Sequence, residues 1–350
     1  MAFLLVSGGD GFIGSHLVDA LLQDGHRVRV LDNLSTGRLE NVPSHAELVV
    51  GDIGSPATVS AAMRQVDGCF HLAAVASVQR CNEDWPGTHR TNLSGTVAVL
   101  DAARARGGVP VVYASSAAVY GDVPGRATER CRCRPLTAYG ADKLGSELHA
   151  RIAWLVHGVP TIGLRFFNVF GPRQDPSSPY SGVISVFARL LHDGRPVSVH
   201  GDGLQSRDFV YVGDVVLHLL AAMRHTQVRT QCKVLNVCTG NETNLLQLAS
   251  LLGRATHRTP ELRHGPARVG DIRRSVGAPD QAVAKLGVRA RTNLGDGLAA
   301  TIASLSASAS AIAIAAPPTP WPVAVHDLLA ARGTQAAMPA AQIGQERWGR

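Results

Sequence analysis

A short apolar run at residues 2–7 passes straight into Gly8-Gly9-Asp10-Gly11-Phe12-Ile13-Gly14, and a helical pattern over 12–23 follows at once. Strand, glycine turn and helix in that order leave few folds open. Gly8, Gly11 and Gly14 allow a tight turn and a close backbone approach to a pyrophosphate at a helix N-terminus. Ile13, Leu17, Leu21 and Leu22 share one side of the helix. Asp10 is the odd residue, because a carboxylate repels a pyrophosphate. It is expected to point outwards or to cap the helix.

Further β-rich runs stand at 27–31, 47–50, 69–72, 109–114 and 161–166, with helical patterns between them, notably 91–106 and 137–156. This alternation implies an α/β fold with a doubly wound parallel sheet of the Rossmann type. Residues 1–167 are read as a dinucleotide-binding domain, to which 209–240 return. In 168–208 and 241–305 the pattern loosens, with Pro and Gly frequent in the first of these segments. These are read as a smaller α/β substrate-binding lobe. From 306 to 350 the chain is rich in Ala, Ser and Pro without a periodic core, and disorder is expected there.

Hydrophobic residues make up 45% of the chain and aromatics only 5%, so aliphatic side chains must build the core. The net charge is +7, carried almost wholly by Arg, which suits bidentate phosphate contacts. Phosphorylated small molecules are favoured over nucleic acid. Cys69, Cys81, Cys131, Cys133, Cys232 and Cys238 match no zinc spacing, so no metal is expected and the thiols are read as reduced. The N-terminus lacks a secretory pattern and no long apolar stretch suits a membrane. The expectation is a cytoplasmic protein.

Two further features carry chemistry. Asp32 ends the second β-run, where a carboxylate accepts from the adenosine ribose 2′-hydroxyl and repels a 2′-phosphate, favouring NAD over NADP. Arg38 would oppose that preference if its loop folded back. Downstream, Tyr139 and Lys143 stand four residues apart on one helix face, after Ser115-Ser116. A phenol has an ordinary pKa of about 10 and needs help to act as a base. A nearby ammonium and an oxidised nicotinamide both supply it. Ser116 can orient the same substrate oxygen.

With these residues in place, the chain resembles the nucleotide-sugar epimerases of the extended short-chain dehydrogenase/reductase superfamily, the UDP-glucose and UDP-N-acetylglucosamine 4-epimerases. The matching stretches are SGGDGFIGSHL, VLDNLSTG, GDI, HLAAVASV, TNLSGT, SSAAVYG, YGADK, RFFNVFGP, GDGLQSRDFVYVGDV, NVCTGN and GDIRRSV, in the family's order. The resemblance implies that Gly8, Gly11, Phe12, Ile13 and Gly14 hold the pyrophosphate of NAD. It places Asp32 and Asn33 on the adenosine ribose and Asp52 and Ile53 beside the adenine. Leu72, Ala73 and Ala74 line the cofactor, Asn92 supports it, and Phe166 sits against the nicotinamide. Ser116 and Tyr139 meet the sugar, and Lys143 bonds the nicotinamide ribose and tunes Tyr139. Asn168, Arg207 and Arg268 would contact the UDP-sugar diphosphate, and Asp271 the nucleoside. The family also pairs the helices at 91–106 and 137–156 of two copies, which implies a homodimer.

Within such a family, dehydratases carry Asp-Glu directly after the Ser or Thr. Here Ala117 and Ala118 stand there and cannot transfer protons. The Glu common in related decarboxylases is missing too. The resemblance therefore implies a 4-epimerase acting on a UDP-hexose through a 4-keto sugar. Ser275 aligns with a position where a bulky Tyr restricts the family's pocket, so N-acetylated sugars are expected to fit. The other readings are a related dehydratase, a reductase that releases NADH, and a non-catalytic NAD-binding regulator.

Overall fold

The computed structural model describes residues 1–175, 182–228, 231–267 and 272–311. Its strands are β1 (Phe3–Ser7), β2 (Arg27–Asp32), β3 (Glu47–Val50), β4 (Gly68–His71), β5 (Val111–Ser116), β6 (Thr161–Phe166) and β7 (Asn168–Phe170). They continue with β8 (Val197–His200), β9 (Ser206–Arg207), β10 (Phe209–Tyr211), β11 (Cys232–Val237), β12 (Thr243–Asn244), β13 (Leu262–Gly265) and β14 (Arg274–Ser275). The helices are α1 (Phe12–Gln23), α2 (Pro56–Ala62), α3 (Val78–Glu83), α4 (Trp85–His89), α5 (Gly95–Ala105) and α6 (Ala138–His157). After them come α7 (Val183–His192), α8 (Val212–Val228), α9 (Leu245–Ala255), α10 (Asp280–Leu286) and α11 (Leu294–Ala311).

Seven strands form one parallel sheet in the order β11-β6-β5-β4-β1-β2-β3. The sequence of crossovers reverses between β1 and β4, which opens a crevice at the C-terminal ends of those strands. Helices cover both faces, so the central strands are buried on both sides: β1 is buried at every position. Leu5, Val6, Val30 and Leu164 are fully enclosed, each contributing roughly 1.5–3 kcal/mol on leaving water. β5 begins at Val111, two residues later than the apolar run, because Pro110 has no N–H to give the ladder.

The elements after Phe166 make smaller pairings. β7 pairs with β10, β8 with β13, and β9 lies between β12 and β14. Ile184, Phe187, Leu191, Val197, Leu248 and Leu252 form a separate apolar cluster around α7 and α9. α11 reaches Ala311, into the stretch expected to lack structure, and residues 312–350 lie outside the described ones. No helix among the described residues is long and apolar enough to cross a membrane.

α6 carries Tyr139 and Lys143, and its ends are fixed by local chemistry. The Thr137 side chain accepts from Gly140 N at 3.1 Å, and Gly158 at φ +69° closes the other end. Along its outer face Leu148, Ile152 and Val156 recur every four residues and remain exposed, as does Val97 of α5.

Candidate active site

The glycine turn is built for close approach. Gly8 has φ +77°, and a Cβ there would fall 2.6 Å from Ala73 N. A Cβ on Gly14 would lie 1.9 Å from Gly8 O, so neither position tolerates a side chain. A Cβ on Gly11 would meet only Gly8 O, at 3.4 Å, and no side chain caps the N-terminus of α1. The turn thus presents backbone and helix N–H groups to an incoming anion. Phe12 and Ile13, the first residues of α1, are part-buried.

Asp32 ends β2 beside this turn. Its Oδ1 accepts from Leu34 N at 3.1 Å and its Oδ2 from Asp10 N at 3.3 Å. Asn33 is exposed, its Oδ1 accepting from Ser35 N. Arg38 is exposed and its loop folds so that Arg38 N donates to Asp10 O at 3.4 Å. Asp10 corrects the expectation made for it. It is 1% exposed, neither outward-pointing nor a cap, and its carboxyl faces Asp32. Asp52 is exposed and turns the chain through Gly54 N, while Ile53 is buried beneath Gly95.

Leu72, Ala73 and Ala74 follow β4, and the backbone of Leu72 and Ala73 presses against Gly8. Asn92 braces the same loop: its Oδ1 accepts from Val75 N at 2.8 Å, and its Nδ2 donates to Val75 O at 3.2 Å. Asn92 lies in a π-helical turn, Arg90–Ser94, that joins α4 to α5. Its carbonyl accepts the hydroxyls of Thr96 and Ser146.

Ser116 ends β5, with its Oγ accepting from Ala118 N at 3.1 Å. The Ser116 hydroxyl stands close enough to the Tyr139 phenol to act on it. Burial nonetheless dominates and pushes the Tyr139 phenol up to about 12, with Ser116 pulling against it and Cys81 adding to the rise. Lys143 is 3% exposed, donates to Ala114 O at 2.8 Å, and lies over the Tyr139 ring, 5.8 Å from its centroid. Burial lowers Lys143 to about 8, against the charge of Asp142, which favours the ammonium. Ala117 and Ala118 form the short turn after Ser116 and bring no proton donor or acceptor side chain.

Phe166 is buried at the end of β6. Asn168 is held in β7, its N donating to Asp208 O at 3.0 Å. Arg207 donates through Nη1 to Ser206 O at 2.8 Å and Ile272 O at 2.7 Å. Ser275 is part-buried in β14, its carbonyl accepting from Asp208 N. Arg268 and Asp271 lie outside the described residues.

Three supporting groups escaped the sequence reading. Glu147, one turn beyond Lys143, pairs with Arg165 of β6 through Oε1–Nε at 2.8 Å and Oε2–Nη2 at 2.6 Å. It also accepts from Ser115 Oγ, tying α6 to β5 beside Ser116. Asp208 accepts from Thr239 N and Oγ1, Gly240 N and Gly277 N, gathering three loops next to Arg207. His71 is buried and bonded to Ser7 Oγ and Thr96 Oγ1. Burial, then Lys143, lowers it to about 3, so it is neutral. An Arg inside an apolar strand was the signal available, since a buried charge needs a partner.

Among the described residues no group of His, Cys, Asp or Glu could hold a metal ion. The six cysteines are unpaired. Two surface cavities, of about 640 and 540 Å³, are lined by neither Ser116, Tyr139 nor Lys143.

With this geometry in place, comparison with known proteins is decisive. The model of the NAD-dependent epimerase/dehydratase family matches residues 4–238. The chain belongs to that family. Its cofactor is NAD, and the glycine turn, the uncapped α1 and Asp32 fit it. The chain is 37% identical over 306 residues to a UDP-glucose 4-epimerase of Mycolicibacterium smegmatis, covering 85% of this chain and 96% of the relative. It is 31% identical over 271 residues to a UDP-N-acetyl-alpha-D-glucosaminuronate decarboxylase of Bacillus cytotoxicus, covering 75% and 83%. The crystal structure of the Thermus thermophilus UDP-glucose 4-epimerase in complex with NAD superposes with a TM-score of 0.80 at 36% identity, covering 87% and 99%. The family thus includes more than one reaction on UDP-sugars.

Proposed function

We propose that this family member is a UDP-hexose 4-epimerase. The observation that carries the reading is a Ser116–Tyr139–Lys143 set followed by Ala117-Ala118. The set can take a proton from one sugar hydroxyl and return it. It offers no acid–base pair for dehydration at the neighbouring carbons.

NAD, held by the glycine turn and Asp32, would supply the hydride chemistry at C4. The residues of this chain manage the proton. Ser116 Oγ hydrogen-bonds the 4-oxygen and aligns it with Tyr139. The phenol is protonated at neutral pH in the cofactor-free protein, so positive charge must assist its ionisation. Lys143 provides that charge over the Tyr139 ring. Inversion requires the keto sugar to turn over while its diphosphate stays anchored. Asn168 and Arg207 are the described residues assigned to that anchor, with Arg268 and Asp271 beyond them.

Ser275 leaves room for an N-acetyl group, so UDP-GlcNAc and UDP-GalNAc are accepted beside UDP-Glc and UDP-Gal. The exposed stripe of Leu148, Ile152 and Val156, with Val97, is the contact face of a homodimer.

Incubating the protein separately with UDP-Glc and UDP-GlcNAc and resolving the products tests the reading. The expected result is C4 epimers with no net change in NADH absorbance. Dehydrated or decarboxylated products, or released NADH, would refute it. Ser275→Tyr should lose the acetylated pair selectively; equal loss of both pairs refutes the gate.

A further inference from the structure

Two carboxyl groups face each other where the adenosine ribose of NAD binds. Asp10 is 1% exposed, and its Oδ2 is buried with no donor to bond. Its side chain meets that of Asp32. The loop after β2 seals it in: a Cβ on Gly37 would fall 2.1 Å from Asp10 Oδ1, and Asp10 O accepts from Arg38 N and Asn41 Nδ2. From β2 the facing charge is Asp32. From the loop, Arg38 contributes a backbone N–H while its side chain is exposed. α1 begins with Phe12 and Ile13, and its first turn brings no charged side chain.

Two ionised carboxylates that meet in this way, with Asp10 Oδ2 buried and unbonded, repel each other; one must hold a proton. We propose that Asp10 is a positioning residue of the adenosine-ribose subsite, which donates a proton to Asp32 so that the pair carries a single negative charge. Asp32 is then held in place by Asp10 while its remaining lone pairs accept the ribose hydroxyls. Removing the proton sets Asp10 against Asp32 and disorders the acceptor. Burial, then the Asp32 hydrogen bond and charge, raise Asp10 to about 8. The pair therefore holds its proton at neutral pH and loses it in mildly alkaline solution. This inference rests on NAD as the cofactor and not on the sugar, so its failure leaves the epimerase reading untouched.

The test compares wild type with Asp10→Asn, whose amide is a donor at every pH. NAD binding to NAD-stripped protein is measured by calorimetry from pH 6.5 to 9. Wild-type affinity should fall about tenfold more than that of the variant between pH 7 and 9, since one ionisation spans about a decade per pH unit. Lys143 titrates in the same window but in both proteins, so it cancels in the comparison.

Thermal unfolding of the cofactor-free proteins gives a second readout. The folded state keeps a proton on Asp10 that the unfolded chain releases near the ordinary value of 3.8. Stability therefore falls as pH rises from about 4 towards 8. The wild-type Tm should drop across that range relative to the Asn variant. Asp10→Ser, also a donor, replaces Asn if the latter fails to fold. Parallel affinity and Tm curves for wild type and variant overturn the proposal.

Discussion

Replacing Glu147 by Ala should unlock the helix that carries Tyr139 and Lys143. Glu147 and Arg165 are 6% and 5% exposed, and two hydrogen bonds join them. Once Glu147 is gone, Arg165 retains, among the described residues, the Cys133 sulfur at 3.3 Å and the face of Tyr120, 4.7 Å from its centroid. Arg cannot escape by deprotonating. An uncompensated buried charge of this kind costs about 3–5 kcal/mol. At roughly 2–4 °C per kcal/mol for a chain somewhat smaller than this one, the expected loss in Tm is on the order of 6–20 °C. Replacing both partners, Glu147→Leu with Arg165→Met, removes the charge as well and should recover most of the loss. The assay is thermal unfolding of the two single variants and the double variant, with turnover measured at a temperature where all are folded. Because Glu147 lies one turn from Lys143 and bonds Ser115, turnover of Glu147→Ala should fall even where the fold holds. A loss below about 1 kcal/mol for the single variant, or a double variant no better than the sum of the two, would refute this reasoning.

Gly14→Ala should abolish NAD retention, because its methyl meets Gly8 O at 1.9 Å and the turn cannot close; equilibrium dialysis checks this. Lys143→Met should remove a pH dependence of stability. Folding lowers Lys143 to about 8, so the unfolded chain holds a proton between about 8 and 10.5 that the folded protein lacks. Wild-type stability relative to the Met variant should therefore rise with pH across that window, by roughly 3 kcal/mol in total, and Tm with it. Ile152→Asp should shift the protein towards monomer in sedimentation, since Ile152 is half exposed in the apolar stripe of α6.

The first α/β units were legible because their signals are local. α1, β3 and β6 begin and end where apolar periodicity and glycine punctuation put them. The run at 91–106 was less so. Its first residues form a π-helical turn because the Asn92 side chain is bonded to Val75 and its carbonyl to two hydroxyls, one of them from α6. These partners lie far along the chain, so no window of sequence contains them. Asp10 was misread for the same reason: a carboxylate in a phosphate-binding turn looks outward until Asp32 and Gly37 are folded over it. Glu147 was invisible as a partner because its apolar-helix position is identical whether or not an Arg faces it from β6.

The most direct measurement is sugar inversion by Tyr139→Phe, with bound NAD and Tm recorded on the same sample. Loss of the phenolic proton acceptor should lower turnover by about 10²–10⁴ while NAD stays bound and the fold holds. Inversion at the wild-type rate in that variant would contradict proton transfer by Tyr139.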